Sequence, residues 1–272
     1  MVTRRIGTAG AGCLLAAAAL AGCSSGGGVQ TTLGTQSAAP ATSAEATSAS
    51  PGAAASTSSS AAAGSGGVSA SSIPSAIPAA AWIRPSAIPL YATYHWPSPA
   101  STAKSAKAPA LSAVQDCQLT LSSSDQAELG AFPAAQAELS PTSGGNGGQD
   151  DWSAVETILA TNDTSSGDIQ GIFSLYTDLV ADLGKCAASG AKVSVAVNQG
   201  PGYAATITIP TSTGSTLTWH EYLTAPYGYL IELAVYVAPY SGDRPGATWD
   251  GTSASSVLSA LQSGPCSITK LC

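Results

Sequence analysis

His95 and His220 are the only imidazole groups that this 272-residue chain offers for acid–base chemistry. His220 is followed by Glu221 in a run rich in strand-forming residues, Thr218 to Tyr222. Because successive side chains of a strand point to opposite faces, His220 and Glu221 are predicted to lie on opposite faces of a sheet. Glu221 therefore cannot orient the imidazole of its neighbour, as a catalytic pair requires. We interpret His220 as a histidine on an exposed sheet face.

No familiar catalytic or metal-binding motif accompanies these histidines. The chain has no H-E-x-x-H zinc motif and no phosphate-binding loop, and proline removes an amide donor from Gly200-Pro201-Gly202. The densest acidic group consists of Asp150, Asp151, Asp163 and Asp168. Its spacing does not fit a calcium loop, so it is interpreted as solvated loop charge. We therefore predict no metal, no cofactor and no enzymatic activity. The alternative is a cell-wall hydrolase of unfamiliar type, in which a histidine meets a carboxylate in a cleft.

Aromatic side chains are concentrated around one predicted hairpin. Exposed rings of this kind can stack on sugars or flat ligands, whereas burial under a helix is the alternative. The candidate ligand-binding residues are Trp219, His220, Tyr222, Tyr227 and Tyr229.

Hydrophobic periodicity predicts the elements that would position these residues. Residues 168–185 show the spacing of an amphipathic helix with Ser166 as a possible N-cap. Runs rich in Val, Ile, Thr and Tyr, separated by turn residues, predict an antiparallel meander. Its strands are residues 192–197, 203–209, 217–223 and 229–237.

Weaker patterns flank this meander. Residues 118–121 alternate like a short strand, and a helix is predicted to start at Ser123 or Ser124. Residues 152–159 fit a strand or a helix, with the strand favoured. A last helix over residues 253–262 is predicted to end at Gly264-Pro265. The predicted fold is an α+β domain in which helices pack on one face of a four- to five-stranded antiparallel sheet.

The first 23 residues carry the features of a secretion signal. Arg4 and Arg5 precede an apolar run that ends in Leu20-Ala21-Gly22-Cys23. This end resembles the lipobox of bacterial lipoproteins, in which the cysteine becomes the new N-terminus and carries the lipid. The resemblance implies lipid attachment at Cys23 and anchorage to the cell membrane on its extracellular side. An ordinary secretory signal with a chance cysteine is the alternative.

Composition divides the chain further. Residues 1–22 form the predicted signal peptide. Residues 23–72 are mainly Ser, Thr, Ala and Gly with Glu45 as the only charge, which predicts a disordered tether. Residues 73–110 form a proline- and aromatic-rich arm with a short linker at residues 97–110. The arm's rings (Trp82, Tyr91, Tyr94 and Trp96) are predicted to pack against the domain, which covers residues 111–272, and a solvent-facing binding strip is the alternative.

The remaining cysteines fit an extracytoplasmic location. Cys117, Cys186, Cys266 and Cys272 form an even set without a C-x-x-C pair, which favours two disulfides over a zinc site. Three pairings are possible, and Cys117–Cys186 with Cys266–Cys272 is favoured.

Charge limits the partners. Removal of residues 1–22 leaves seven Lys and Arg against sixteen Asp and Glu, a net charge of −9. An acidic chain repels phosphate backbones and anionic headgroups, so nucleic acid is excluded and membrane attachment must come from the lipid.

The arrangement of residues 79–272 resembles the extracellular sensor domains of PknH-type receptor kinases and related actinobacterial lipoproteins. The likeness rests on the proline-rich entry from Trp82 to Trp96, the helix that closes with Lys185-Cys186, the long strand 229–237 and the terminal Leu271-Cys272. It implies two disulfides and a sheet with a ligand-binding cleft. The sequence thus predicts a lipid-anchored, non-catalytic ligand-binding or sensor domain for an unknown small ligand. The alternative is a structural accessory that docks on a membrane or cell-wall complex, with a cell-envelope protein as its partner.

Overall fold

Strands of the chain pair into a single antiparallel sheet. A computed structural model describes residues 74–144, 151–162, 165–188, 190–212, 214–238 and 245–269. Within these residues the sheet has seven strands in the order β1-β2-β3-β7-β6-β5-β4. They are β1 (Lys104–Ala106), β2 (Ala134–Leu139), β3 (Ser153–Ala160), β4 (Lys192–Gln199), β5 (Gly202–Pro210), β6 (Thr216–Thr224) and β7 (Tyr229–Val237). The predicted meander is therefore β4 to β7, and the four- to five-strand expectation is too small.

Helices connect and cover these strands. They are α1 (Tyr91–Tyr94), α2 (Pro99–Thr102), α3 (Ser112–Asp116), α4 (Ser123–Ala131), α5 (Ser166–Leu183) and α6 (Ala254–Thr269), with 3-10 turns at Ala79–Ala81 and Pro85–Ala87. The cap of α5 is Ser165 rather than the predicted Ser166, because the Ser165 hydroxyl accepts the backbone N–H of Asp168 at 3.3 Å.

Both faces of the sheet are covered, which corrects the expectation of helices on one face. One face, here called the arm face, packs on residues 74–96 and on α6, whose Val257, Leu258 and Leu261 are buried there. The opposite face, here called the α5 face, packs on α3, α4 and α5. Strand β7 shows the physical reason. Ile231 and Leu233 face the arm, whereas Leu230 and Ala234 face α5, so both faces of this strand carry apolar side chains that need cover.

The aromatic arm packs on the domain. Trp82, Tyr94 and Trp96 are buried, and Tyr91 is half-buried. Trp96 donates its ring N–H to the carbonyl of Pro89 at 2.6 Å, and Tyr94 donates its hydroxyl to Asp151 at 3.2 Å. This agrees with the predicted packing and not with a solvent-facing strip.

A disulfide links Cys117 to Cys186, as predicted, and ties the end of α3 to the end of α5. The second predicted pair includes Cys272, which lies outside the described residues. So do the predicted signal peptide, Cys23 and the tether at residues 23–72. In the described part of the chain no helix is long and apolar enough to cross a membrane.

Three local expectations are wrong. Residues 118–121 are not a strand, because Gln118 adopts a left-handed φ of 53° and the Leu119 N–H donates to the Val114 carbonyl in the turn that ends α3. The linker 97–110 contains α2 and the edge strand β1. Helix α6 continues past Gly264 to Thr269, and Pro265 is buried inside it. Gly264 lies so near the 3-10 turn that a Cβ at this position would overlap the carbonyl oxygens of Ala80 and Ala81, so this part of the helix packs closely on the arm.

Candidate functional site

Two exposed aromatic side chains flank a cavity of about 370 Å³, here called the aromatic groove. Phe173 on α5 is 45% exposed, and Tyr227 in the turn between β6 and β7 is 38% exposed. The lining comes from α5, the turn 225–228, the β4–β5 turn and α6. Its members are Ile169, Gln170, Ile172, Phe173, Pro201, Ala225, Pro226, Tyr227, Gly228, Gln262 and Cys266.

The turn that presents Tyr227 is fixed by its own sequence. Gly228 adopts a φ of 74°, a left-handed conformation that glycine enters without steric cost. The Tyr229 N–H donates to the Pro226 carbonyl at 2.8 Å, and the Thr161 N–H donates to the Gly228 carbonyl at 2.9 Å. These bonds hold the turn against the end of β3, so Tyr227 stands on a rigid base.

Polar side chains join the other walls of the aromatic groove. Gln262 on α6 donates its side-chain amide to the Thr224 hydroxyl at 2.8 Å, and that hydroxyl donates to the Pro201 carbonyl at 2.7 Å. These two hydrogen bonds in series link α6, β6 and the β4–β5 turn around one cavity. The lining residues include no Asp, Glu, Lys or Arg, so the groove suits an apolar or aromatic group with few hydrogen bonds.

A second cavity, of about 250 Å³, adjoins the aromatic groove and shares Tyr227 and Gly228 with it. Its other walls include Ser75, Ala76 and Pro78, the first part of the arm. The hydroxyl of Tyr229 donates to the Ala76 carbonyl at 3.1 Å and holds the arm there. The groove thus lies beside the point where the arm joins the sheet.

The structure does not bring the five predicted ligand-binding residues together. Trp219 is buried on the α5 face, where its ring N–H donates to Glu221 at 2.8 Å. Tyr222 and Tyr229 are buried on the arm face. Of the five, only Tyr227 is exposed and lines the aromatic groove. The turn at residues 225–228 was predicted from sequence, but Phe173 was assigned to the apolar stripe of α5 and not to a site, and its 45% exposure shows that this assignment is wrong. The outward position of Phe173 beside the inward stripe of α5 is the signal that could have shown it.

His220 is half-buried rather than on an exposed face. Its ring stacks on Trp249 with centroids 3.5 Å apart and planes 6° from parallel, and its Nδ1 lies 3.1 Å from the Thr206 hydroxyl. Burial lowers the pKa of His220 to about 4, although the nearby Asp250 acts in the opposite direction. The predicted placement of His220 and Glu221 on opposite faces is confirmed, because Glu221 lies on the α5 face beside Trp219. The other histidine, His95, is exposed, with its Nδ1 2.8 Å from the Ser143 hydroxyl.

Three glutamates that sequence reasoning did not single out as a group are fully buried in the sheet: Glu156, Glu221 and Glu232. Burial raises the pKa of Glu156 to about 8 and that of Glu232 to about 7. The pKa of Glu221 is raised well above its usual range by burial and then by Glu232. The residues two positions before and after each glutamate share its face of the strand and are apolar. This pattern is the signal that could have identified the buried glutamates.

The four aspartates that were interpreted as solvated loop charge do not share one environment. Asp151 is buried and accepts the backbone N–H of Gly246 at 2.8 Å, whereas Asp168 lies in the first turn of α5. Asp150 and Asp163 lie outside the described residues. Among the residues that are described, no three His, Cys, Asp or Glu side chains are grouped to hold a metal ion.

No protein-family model matches the chain, and no curated protein matches it. Among solved structures, the chain is similar to the Saccharomyces cerevisiae Ran-binding protein Mog1p at 10% sequence identity and a TM-score of 0.27. The similar region covers 50% of this chain and 76% of that one. A likeness at this level supports no conclusion about fold or function.

Proposed function

We propose that this protein is a lipid-anchored, extracytoplasmic ligand-binding protein whose folded domain binds a small, largely apolar or aromatic ligand in the aromatic groove without catalysis. The observation that carries the proposal is the pair Phe173 and Tyr227. These are two of the three large hydrophobic side chains exposed in the described part of the chain, and both line the same cavity. Exposed aromatics are costly to leave in water and supply most of the contact energy when a ligand covers them.

Sequence supports the location. The segment from Leu20 to Cys23 follows a basic start and an apolar run, which is the arrangement that a lipoprotein signal needs. Lipid on Cys23 would place the domain outside the cell membrane behind a tether of about 50 residues, with a root-mean-square reach on the order of 40 Å. Intact-mass spectrometry of the membrane fraction tests this step. We expect the wild-type protein to carry the mass of a diacylglycerol group. The Cys23→Ser variant should lack this mass and should be released from the membrane.

The position of the histidines supports a non-catalytic role. His220 is held between Trp249 and Thr206, away from the aromatic groove. We expect the double variant His220→Gln, His95→Gln to retain full ligand binding and the wild-type cellular phenotype.

A thermal-shift screen tests the binding proposal. The full chain is heated with cell-wall fragments, oligosaccharides, peptides and single-chain lipids. A ligand at about 100 times its Kd adds about 2.7 kcal/mol to the free energy of unfolding. Stabilisation by one apolar or aromatic class is expected, and Phe173→Ala or Tyr227→Ala should abolish it.

Val195→Ala is the matched control. Val195 is 49% exposed on the edge strand β4 and does not line the groove. Its truncation removes exposed apolar surface elsewhere and should leave the shift unchanged. If no class shifts the midpoint, the small-ligand proposal is rejected.

The exposed aromatic pair also favours a second candidate, docking of this surface on a cell-envelope protein. A photo-crosslinking residue at position 173 or 227 tests it in intact cells. Docking is supported if a partner crosslinks to the probe at position 173 or 227 and does not crosslink to a probe at position 195.

A further inference from the structure

The aromatic groove and the smaller cavity beside it form one path past Tyr227. The groove measures about 370 Å³ and the adjoining cavity about 250 Å³, and Tyr227 and Gly228 line both. A Cβ at Gly228 would lie 2.9 Å from the hydroxyl oxygen of Thr161, which lines the adjoining cavity. A glycine therefore keeps the junction of the two cavities free of a side chain.

Helix α6 forms a wall along the whole path. Gln262 and Cys266 line the groove, and Thr269 lines the adjoining cavity. Their spacing of four and then three residues places them on one face of the helix. Ligand pockets usually measure about 300–1,000 Å³, so the groove is near the lower limit of this range and the adjoining cavity is below it. A ligand of ordinary size needs both cavities, and it must be elongated to pass Tyr227.

The groove end of this path is apolar. Helix α5 contributes Ile169, Ile172 and the exposed ring of Phe173. Two amides also line the groove, but Gln262 already donates a hydrogen bond of 2.8 Å to β6, and Gln170 is exposed to solvent. This end suits a hydrocarbon chain, which gains free energy from leaving water and needs no hydrogen bonds.

The adjoining cavity carries neutral hydrogen-bonding groups. Apart from the phenols of Tyr227 and Tyr229, its polar side chains are Ser75, Thr161, Asn162 and Thr269. The Thr269 hydroxyl donates to the Pro265 carbonyl at 3.0 Å, so its oxygen is left to accept a hydrogen bond. The exposed amide of Asn162 can both donate and accept. This end suits a head group that carries hydroxyl groups.

Charge restricts the head group further. Neither lining includes Asp, Glu, Lys, Arg or His. An ionised head group would leave water for a cavity without a counter-charge, and this transfer is unfavourable. The walls therefore select an uncharged head group.

We propose that this path binds a neutral single-chain amphiphile of the monoacylglycerol type. The hydrocarbon chain lies in the aromatic groove between Phe173 and Tyr227. The hydroxyl groups of the head bond to Asn162 and Thr269 in the adjoining cavity. This inference rests on the proposed function, because it names the ligand class of the same groove.

Isothermal titration calorimetry with 1-monoacylglycerols of six, eight and ten carbons tests the hydrocarbon end. The protein is the full chain with Cys23→Ser, so that no lipid on Cys23 competes for the groove. Each amphiphile is kept below the concentration at which it aggregates. Burial of each added methylene group should tighten binding roughly threefold to fourfold.

Three analogues with the same eight-carbon chain test the head group. Methyl octanoate lacks the hydroxyl groups, whereas octanoate and octylammonium carry a charge at neutral pH. The glycerol ester should bind at least fivefold more tightly than methyl octanoate. It should bind at least tenfold more tightly than either ion.

Variants assign each end of the ligand to its cavity. Asn162→Ala should remove most of the preference for the glycerol ester and leave the affinity for methyl octanoate unchanged. Phe173→Ala should weaken both esters at least fivefold, because it removes a wall of the groove. Asn198→Ala is the matched control, since Asn198 is also exposed and lines neither cavity. Circular dichroism confirms that each variant is folded.

Three results would overturn the inference. They are an affinity that does not increase with chain length, an ion that binds as tightly as the glycerol ester, and an unchanged preference for the glycerol ester in folded Asn162→Ala. The proposed function survives these results if a ring compound such as indole stabilises the chain and Phe173→Ala abolishes that stabilisation. If no class in the thermal-shift screen binds either, both proposals are rejected.

Discussion

The backbone N–H of Ile83 donates a hydrogen bond of 3.0 Å to the carboxyl group of Glu156. Ile83 belongs to the aromatic arm, and Glu156 points from β3 toward that arm, so the bond joins the arm to the sheet. Glu156 is fully buried, and its second oxygen has no hydrogen-bond partner. Burial raises its pKa to about 8, although the bond from Ile83 acts in the opposite direction. The arm therefore packs on a protonated, neutral glutamate at neutral pH.

The first prediction concerns stability against pH. The folded-state pKa of Glu156 is above its ordinary value of 4.5, so the folded state holds this proton more tightly than the unfolded state. The resulting stabilisation is fully present below about pH 4.5 and is lost as pH rises toward 8. By linkage, one such group gives a slope of about 1.4 kcal/mol per pH unit within that window. Glu156→Gln should reduce the slope by about that amount in urea unfolding between pH 5 and pH 8.

Glu138→Gln provides the control, because Glu138 is exposed on β2. Its substitution should leave the pH dependence of the unfolding free energy unchanged. If Glu156→Gln has the same slope as the wild-type protein, Glu156 is ionised in the folded state and the assignment is wrong.

The second prediction concerns the anchoring of α3. Glu232 accepts two backbone N–H groups at the start of this helix, at Ser112 and Ala113, and both residues are buried. In Glu232→Ala these donors lose their partner, at a cost of roughly 1–3 kcal/mol for each unsatisfied group. Hydrogen exchange at the two amides should accelerate at least tenfold. Unchanged exchange would show that other acceptors hold the helix.

The third prediction concerns the protonation of His220. Burial lowers its pKa to about 4, so the unfolded state binds this proton more readily than the folded state. The contribution of His220 is therefore present above about pH 6.5 and is lost as pH falls toward 4, in the direction opposite to that of Glu156. NMR titration of the ring should show a midpoint near 4, and Trp249→Ala should raise that midpoint because it exposes the ring. A midpoint of 6 or above in the wild-type protein would contradict the stacked, half-buried geometry.

Local pattern was sufficient where each element carries its own periodicity. The meander from β4 to β7 and the helix α5 were predicted within a few residues, because branched residues, turn residues and an amphipathic stripe mark them directly. Strand β2 escaped prediction since its sequence, Ala-Ala-Gln-Ala-Glu-Leu, has little strand propensity. It is a strand because β1 and β3 pair with it on either side.

The sites depend on contacts between distant parts of the chain, which pattern does not contain. Phe173 and Tyr227 are 54 positions apart, and only the packing of α5 beside the β6–β7 turn brings them to one groove. The continuation of α6 through Pro265 depends likewise on the arm, since Gly264 lies against the carbonyls of Ala80 and Ala81. Proline normally ends a helix, so the local rule failed where tertiary packing outweighed it.

The last prediction concerns the turn under Tyr227. Gly228 has a φ of 74°, and a Cβ at this position would lie 2.9 Å from the Thr161 hydroxyl oxygen. Gly214 has a similar φ of 83°, but a Cβ there would meet nothing within 4 Å. Both Gly→Ala variants pay the backbone strain of about 1–2 kcal/mol, and only Gly228→Ala must also displace Thr161. Urea unfolding should therefore show the larger loss for Gly228→Ala, and ligands of the aromatic groove should bind more weakly to it. Equal losses in the two variants would show that Thr161 yields without cost and that the turn is not held rigidly against β3.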